Sequence, residues 1–250
     1  MGITAERTDL DAIGPLRDVF RAEMRCQIIH DAIHRRPGWT HEYLLRRNGV
    51  PAGYGSVAMA GPWRERPAVY EFYVLPDHRS HVFDLFEALS TASAAPAIEM
   101  QTNDVIGSVA LHAYARNVTV EAMLFHDRLT TSHSLPPNVV LRAPTAAEAP
   151  DSPSEDRRWR VVVDAEGDIV ASGGVLFHYN PPYGDIYMDV DERFRRRGFG
   201  TVIVQELKRL CYDRGFIPGA RCRVDNAASR RTLQRAGFVP CGHILTGLLR

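Results

Sequence analysis

The sequence predicts an α/β chain of two similar domains, each a mixed, mainly antiparallel sheet flanked by helices. Three observations carry this reading. A length of 250 residues suits one large domain or two small ones. The segment from Ala143 to Pro153 is rich in proline and alanine and breaks both helix and strand, which divides the chain into 1–137 and 138–250. On either side of it the hydrophobic periods recur in one order: hairpin, strand, helix, strand, helix, strand.

Composition narrows the class further. Apolar residues at 45% and charged residues at 24% describe an ordinary globular protein and exclude a disordered one. Thirty basic residues balance thirty acidic ones, so no overall basic footprint for nucleic acid exists. No apolar run approaches the ~20 residues of a membrane helix, so no membrane partner is expected. The opening Met-Gly-Ile-Thr-Ala-Glu-Arg-Thr-Asp is acidic and lacks an apolar core, unlike a secretory signal. Cys26, Cys211, Cys222 and Cys241 are scattered without paired spacing, as reduced thiols of a cytoplasmic protein would be.

The first domain opens on a helix that Asp9 can cap, with Leu10, Ile13, Leu16, Val19 and Phe20 at helical spacing. More helix is expected through Met24, Ile28 and Ile33 to the Pro37-Gly38 break. Strands at 43–46 and 52–59 flank Asn48-Gly49, a strong hairpin signal. A strand at 69–75, a helix at 82–89, a strand at 98–101, a helix at 105–115 and a strand at 121–125 complete the domain. The second domain has strands at 139–142, 159–163, 169–177 and 185–190, with Ala165-Glu166-Gly167 as the turn between the middle pair. A helix at 201–214 ends at Gly215, where a capping glycine belongs. A strand at 220–224, a helix at 227–236 between Asn226 and Gly237, and a strand at 243–249 close it.

Chemistry concentrates after the strand Ile186-Tyr-Met-Asp-Val190. Arg195-Arg196-Arg197-Gly198-Phe199-Gly200-Thr201 forms a loop that leads into a helix. Glycines let backbone approach a ligand, and a helix N-terminus offers unpaired N–H groups and the positive end of its dipole. With three arginines alongside, the loop predicts a polyphosphate site. Turn glycines beside a solvated arginine face are the bland alternative. A P-loop is excluded because Lys208 falls too late, and the dinucleotide motif because only two glycines are present in the stretch.

Arg195-Arg-Arg-Gly198-Phe-Gly200 resembles the R/Q-x-x-G-x-G/A coenzyme A signature of the GNAT acetyltransferase superfamily. Asn226-Ala-Ala-Ser229 through Gly237-Phe238 is similar to the family's second motif, a helix ending in Gly-Phe. The resemblance covers about 110 residues, from Val139 onward. It implies acetyl-CoA as co-substrate, no metal, and direct attack by an amine in a ternary complex. Met188, Asp189 and Val190, on a strand the family bulges, would grip pantetheine. Arg195 to Thr201 would cradle pyrophosphate, and Asn226 and Ser229 would face the coenzyme across the splay between strands.

Two departures bear on mechanism. Many members carry a tyrosine seven residues after the capping asparagine as acid to the leaving thiolate; here that position is Leu233. Strand alternation puts Asp185, Tyr187 and Asp189 on one face, opposite Ile186 and Met188, which makes these three the candidate catalytic residues. Proton transfer through water and unaided thiolate departure are the alternatives. The family also inserts two helices between its first two strands, where only the proline-broken Ala143 to Arg158 is available here. The N-terminal domain has a GNAT-like order but no G-x-G in its loop from Val74 to Phe83. It is expected to be a degenerate copy that shapes the acceptor site and binds no coenzyme.

His30 and His34, with Asp31 between them, stand at metal-helix spacing, although paired surface histidines are the commoner case. Acceptor contacts come from variable loops, so the sequence names no acceptor. The expected function is acetylation of a primary amine of a small molecule. Its rivals are a coenzyme-binding sensor or scaffold without turnover, and acetylation of a protein or peptide amine. Oligomeric state is left open.

Overall fold

The computed structural model describes residues 2–135, 137–148, 160–165 and 167–250. They form two compact units, Met1–Ala122 with Gly242–Arg250, and Met123–Cys241. Among the described residues no helix is long and apolar enough to cross a membrane.

Unit one begins with a strand that alternation barely marks, β1 (Ile3–Thr8), paired antiparallel to β2 (Thr40–Arg47). Helix α1 (Leu10–Met24) starts where Asp9 accepts the Ala12 N–H at 2.8 Å. It stops at Arg25, which turns left-handed at φ 47, so the helix expected to continue to Pro37 does not. A short 3-10 turn, Asp31–Arg35, follows instead, entered through His30 at φ 68. β2 and β3 (Val50–Ala58) are joined by Asn48 and Gly49 at φ 50 and 80, the left-handed pair a tight hairpin requires. β4 (Ala68–Val74) runs antiparallel to β3 and parallel to β5 (Ala97–Gln101), the latter only through Ala68↔Ala97 and Val69↔Ile98. Helices α2 (Val82–Ser93) and α3 (Val105–Tyr114) bury Leu85, Phe86, Leu89 and Leu111 against Phe72 and Ile98. α3 passes without a break into β6 (Ala115–Asp127).

A charged network lies inside this unit. Glu71, 2% exposed, accepts from Arg17 Nε and Nη2 at 3.0 Å each, from the Tyr54 hydroxyl at 2.8 Å, and meets His34 Nε2 at 2.9 Å. His34 Nδ1 meets Glu42 at 2.8 Å, Tyr70 lies against Nε2, and Asp31 takes Arg17 and Arg21. Burial alone would lower the His34 pKa; the charge of Glu71 and bonds to Glu42 and Glu71 overcome it and raise it to about 9. Burial would raise Glu71, but Arg17 and His34 hold it well below the carboxylate range. His34 is thus a core residue rather than a surface one, and the 3-10 turn separates it from His30, which pairs with Glu99. Asp31, His34 and Glu71 bring ligand-type atoms within 4.8 Å of one another. Arg17 bonds both carboxylates there, so a guanidinium supplies the charge a divalent ion would bring.

Unit two is a meander, β7 (Val139–Arg142), β8 (Arg160–Ala165), β9 (Asp168–Asn180) and β10 (Tyr183–Val190), antiparallel throughout. Trp159, expected in β8, Glu166 in the following turn, and residues 149–153 of the proline-broken segment lie outside the described residues. Helix α4 (Phe199–Asp213) crosses to β11 (Ile217–Arg223), parallel to β10. α4 lays Ile203, Val204, Leu207 and Cys211 into the core and ends at Gly215, φ 71, with Phe216 N–H bonded to the Cys211 carbonyl at 2.9 Å. Its Lys208, 4% exposed, pairs with Asp127 at 2.6 Å and bonds the carbonyls of Leu129 and Ala236 at 2.9 and 2.8 Å. Helix α5 (Ala227–Arg235) leads to β12 (Phe238–Leu249).

The division expected at 137/138 therefore falls inside unit two. β6 leaves unit one after Ala122, and β12 re-enters it at Gly242, pairing Ile244 to Leu248 with β5. Each of these strands belongs to both units, so no change of composition marks the crossing.

Candidate active site

Sheet pairing makes the cleft. β10 and β11 are hydrogen-bonded neighbours from Tyr183↔Ile217 to Ile186↔Ala220, and there the pairing ends although both strands continue. Asp191 N–H donates to the Val170 carbonyl of β9 at 3.0 Å. Antiparallel alternation then turns the N–H and C=O of Met188, and the N–H of Val190, toward the gap left by β11. The Val190 carbonyl is occupied, because Arg195 Nε donates to it at 3.0 Å. The bulge expected at Met188 to Val190 is not there. Pairing with β9 is regular from Asp185↔Leu176 to Val190↔Ala171, and the irregularity lies earlier, between Tyr183 and Asp185. Splay, not a bulge, frees these backbone groups.

The loop after β10 is built to present N–H groups. Asp191 accepts the Arg193 N–H at 2.9 Å and starts a 3-10 turn over Glu192–Phe194. Arg196 at φ 65 and Gly198 at φ 91 then reverse the chain into α4. Gly198 caps the helix with no side chain, and its carbonyl takes the N–H groups of Thr201 and Val202 at 3.0 and 3.2 Å. The N–H groups of Phe199 and Gly200 point out of the helix end, where the dipole is positive. A Cβ on Gly200 would come within 3.1 Å of Thr232 Cγ2, so this glycine lets α5 close in.

A cavity of about 820 Å³ lies between strand end, loop and α5. Of the expected coenzyme contacts, Met188, Asp189, Val190, Arg195, Arg196, Gly198, Phe199, Gly200, Thr201, Asn226 and Ser229 line it. Arg197 does not; its guanidinium lies 5.2 Å from the Phe194 ring centre. Asn226 Oδ1 accepts the Ser229 N–H at 3.0 Å, so its side chain caps α5. Arg195 is spent on Val190 and Glu192, and Arg193 on Asp191. The free positive charge comes from Arg196 and from two residues absent from the motif reading, Arg231 and Arg235. These three arginines have no carboxylate partner among the described residues. The signal for the last two was Arg231-Thr-Leu-Gln-Arg235, two arginines one helical turn apart.

A second cavity of about 260 Å³ shares Met188 and Ser229 with the first and is bordered by Leu176, Ile186, Tyr187 and Leu233. Asp185 enters it, 6% exposed, with Oδ1 lacking a hydrogen-bond partner among the described residues. Burial raises its pKa, opposed by Arg221, whose Nη2 stands 3.7 Å from Oδ2. Of the two other residues on its face of β10, Tyr187 also lines this cavity and Asp189 does not. The Tyr187 ring lies over Gly174 of β9, where a Cβ would meet the hydroxyl at 2.6 Å, so the hydroxyl sits on the side of β10 away from β11. Asp189 is exposed on the rim of the larger cavity. Leu233, 4% exposed, packs into the core.

Unit one has the same parting of parallel strands, since β4 and β5 pair only through Ala68↔Ala97 and Val69↔Ile98 and both continue. Arg79 Nε donates to the Val74 carbonyl at 3.3 Å, five residues back, as Arg195 does to Val190. Asp104 caps α3 through Gly107 N–H at 3.1 Å, as Asn226 caps α5. β4 is nevertheless buried along its whole length, and Arg79 is paired with Glu23 at 2.6 Å.

Residues 129–238 match the model of the acetyltransferase (GNAT) family. An acetyltransferase of the GNAT family from Colwellia psychrerythraea, 13% identical, superposes with a TM-score of 0.72 over 100% of both chains. A tandem GNAT protein from the clavulanic acid biosynthesis pathway, 12% identical, gives 0.62 over 99% of this chain and 98% of that one. A GCN5-related N-acetyltransferase from Sphaerobacter thermophilus, 16% identical, gives 0.60 over 99% and 96%. The whole chain thus has the fold of GNAT proteins, a tandem one among them. No curated protein matches the sequence.

Proposed function

We propose that the protein is a cytoplasmic N-acetyltransferase that moves an acetyl group from acetyl-CoA to a primary amine of a small molecule in a ternary complex. The observation that carries this is the unbroken run from backbone groups at Met188 and Val190 that β11 does not pair to the open end of α4, beside three arginines without carboxylate partners among the described residues. That donor set fits a chain of amides ending in phosphates. Met188 C=O and Val190 N–H would hold pantetheine; Phe199 and Gly200 N–H, with Arg196, Arg231 and Arg235, would hold phosphates. In unit one the corresponding strand is buried and the corresponding arginine paired, so we assign no coenzyme to it. Cys211, Cys222 and Cys241 are free thiols, in keeping with a reducing compartment.

Acetyl-CoA bound there supplies an acetyl thioester. Asp185 receives the proton of the incoming ammonium, and burial makes it a stronger base than a solvated carboxylate. The Met188 N–H, nearest the point where the strands part, steadies charge on the acetyl oxygen. As the C–N bond forms, the C–S bond breaks and its electron pair leaves with sulfur. Leu233 offers no proton, and Tyr187 lines the smaller cavity but carries its hydroxyl over Gly174 of β9; the thiolate departs unaided, which a thiol pKa of about 8.5 permits. The test is calorimetry with acetyl-CoA, followed by thiol release against a panel of amines. Release with some amines and not others is expected. Absence of coenzyme binding overturns the reading, and tight binding without release leaves a sensor in its place.

A further inference from the structure

We propose that unit one carries a phosphate site of its own, a pocket that takes inorganic phosphate or a small phosphate monoester on Arg7, Arg35 and Arg36. The pocket, about 260 Å³, lies between the end of β1, the start of α1 and the 3-10 turn that precedes β2. Every residue lining it belongs to unit one, so it is distinct from the cleft of unit two. Its rim is formed by the three exposed arginines, and its deeper wall by the buried His34 and Glu42.

Charge selects the ligand. At the buried start of the turn, Asp31 takes Arg17 and Arg21. At its exposed end Arg35 and Arg36 have no carboxylate partner among the described residues, and neither has Arg7. Two acids line the pocket, and both are engaged. Asp9 Oδ1 accepts the Ala12 N–H at 2.8 Å, and Glu42 meets His34 Nδ1 at 2.8 Å and takes the Ser56 hydroxyl. The cationic His34 balances Glu42, and the single charge of Asp9 leaves the three arginines in excess. A cleft lined by an excess of one sign concentrates ions of the other.

Two further features prepare the site. Arg36 lies over the Trp39 ring, 4.6 Å from its centre, a contact that steadies the guanidinium without supplying an anion. Gly38 at φ 73 makes the turn that sets this pair, and Trp39 N–H donates to the Arg36 carbonyl at 3.1 Å. His41 stands on the face of β2 that holds Tyr43, opposite Arg7, and also lines the pocket. Burial and then the Arg7 charge lower its pKa, against the pull of Glu42. An anion between His41 and Arg7 reverses the effect of Arg7 and makes the imidazole a fourth donor. Guanidinium forks suit carboxylate and phosphate alike. Three forks on separate stems exceed the two oxygens of one carboxylate and match the three terminal oxygens of a phosphate group.

The experiment is calorimetry of inorganic phosphate and of glycerol phosphate against the full chain, at constant ionic strength and with coenzyme A added to fill unit two. The same titration of Arg231→Gln identifies any phosphate held in unit two instead. One phosphate per chain is expected that Arg231→Gln leaves in place. Arg7→Gln and Arg35→Gln should each weaken it at least about tenfold, with acetyl-CoA affinity unchanged. In NMR spectra the His41 ring signals should move toward the protonated form as phosphate is added to wild type, and much less in Arg35→Gln. No saturable binding beyond that removed by Arg231→Gln would overturn the proposal and leave a solvated arginine cluster. An affinity indifferent to Arg7→Gln and Arg35→Gln, or tighter binding of citrate than of either phosphate, would overturn it as well.

Discussion

Replacing His34 by glutamine tests the charged network of unit one. The imidazole side chain is 1% exposed and lies between Glu42 and Glu71 at 2.8 and 2.9 Å. Its pKa, about 9 in the fold against an ordinary 6.5, corresponds to about 3 kcal/mol of stabilisation. The folded value is the higher one, so this stabilisation is complete below about pH 6.5 and is lost as pH rises through about 9. Glu42 and Glu71 are held low, so their contribution is present above about pH 4.5 and lost as pH falls. The network is therefore strongest between about pH 5 and 6.5. Glutamine keeps an amide donor in similar space but does not titrate. Scanning calorimetry of wild type and His34→Gln at pH 6, 8 and 10 should show the gap between them shrinking by about 3 kcal/mol, or about 6–12 °C in Tm. A gap that stays constant from pH 6 to 10 would mean that His34 is neutral in the fold, and the reasoning would fail.

Gly198→Asp should weaken acetyl-CoA at least a hundredfold by calorimetry, since it sets a negative charge and a strained φ of 91 at the helix end; Ser80→Asp in unit one should change affinity little. The fragment 138–250 should aggregate, because it lacks Phe125 of the core and the Asp127 partner of Lys208; a monomer with a cooperative melt would contradict this. Tyr187→Phe should cost less than about tenfold in turnover, and Leu233→Tyr should leave coenzyme affinity intact; a thousandfold loss in Tyr187→Phe would give that hydroxyl the acid role. Gly237→Ala should destabilise by more than about 3 kcal/mol in urea, since φ is 91 and the new Cβ would stand 1.9 Å from the Leu129 carbonyl oxygen.

Local chemistry was legible and long-range chemistry was not. Asn48-Gly49 announces its hairpin and Gly215 its helix end because both depend on φ at one or two residues. The loop from Arg195 to Thr201 was readable because its glycines and arginines are consecutive. β1 was missed because only Ile3 and Ala5 mark its alternation, and its pairing with β2 is what makes it a strand. Arg231 and Arg235 join the site only once α5 packs beside Gly200. Alternation placed Asp185, Tyr187 and Asp189 on one face, but not the opposite leaning of Tyr187 across Gly174, which depends on β9. His34 looked like half of a metal pair, and its real partners, Glu42 and Glu71, come from two other strands.

The crossing of β6 and β12 bears on the order in which the chain can fold as it is made. Residues 242–250 supply Leu245 to the core of unit one and the strand that pairs with β5, yet every residue of unit two is synthesised before them. The first half of the chain to leave the ribosome is therefore the last to be finished, its β5 edge open until unit two has been made. Synthesis from the N-terminus ordinarily lets the first domain fold first. Here the second unit can close while the earlier one waits, and a growing chain halted at residue 241 would hold a complete second unit and an incomplete first.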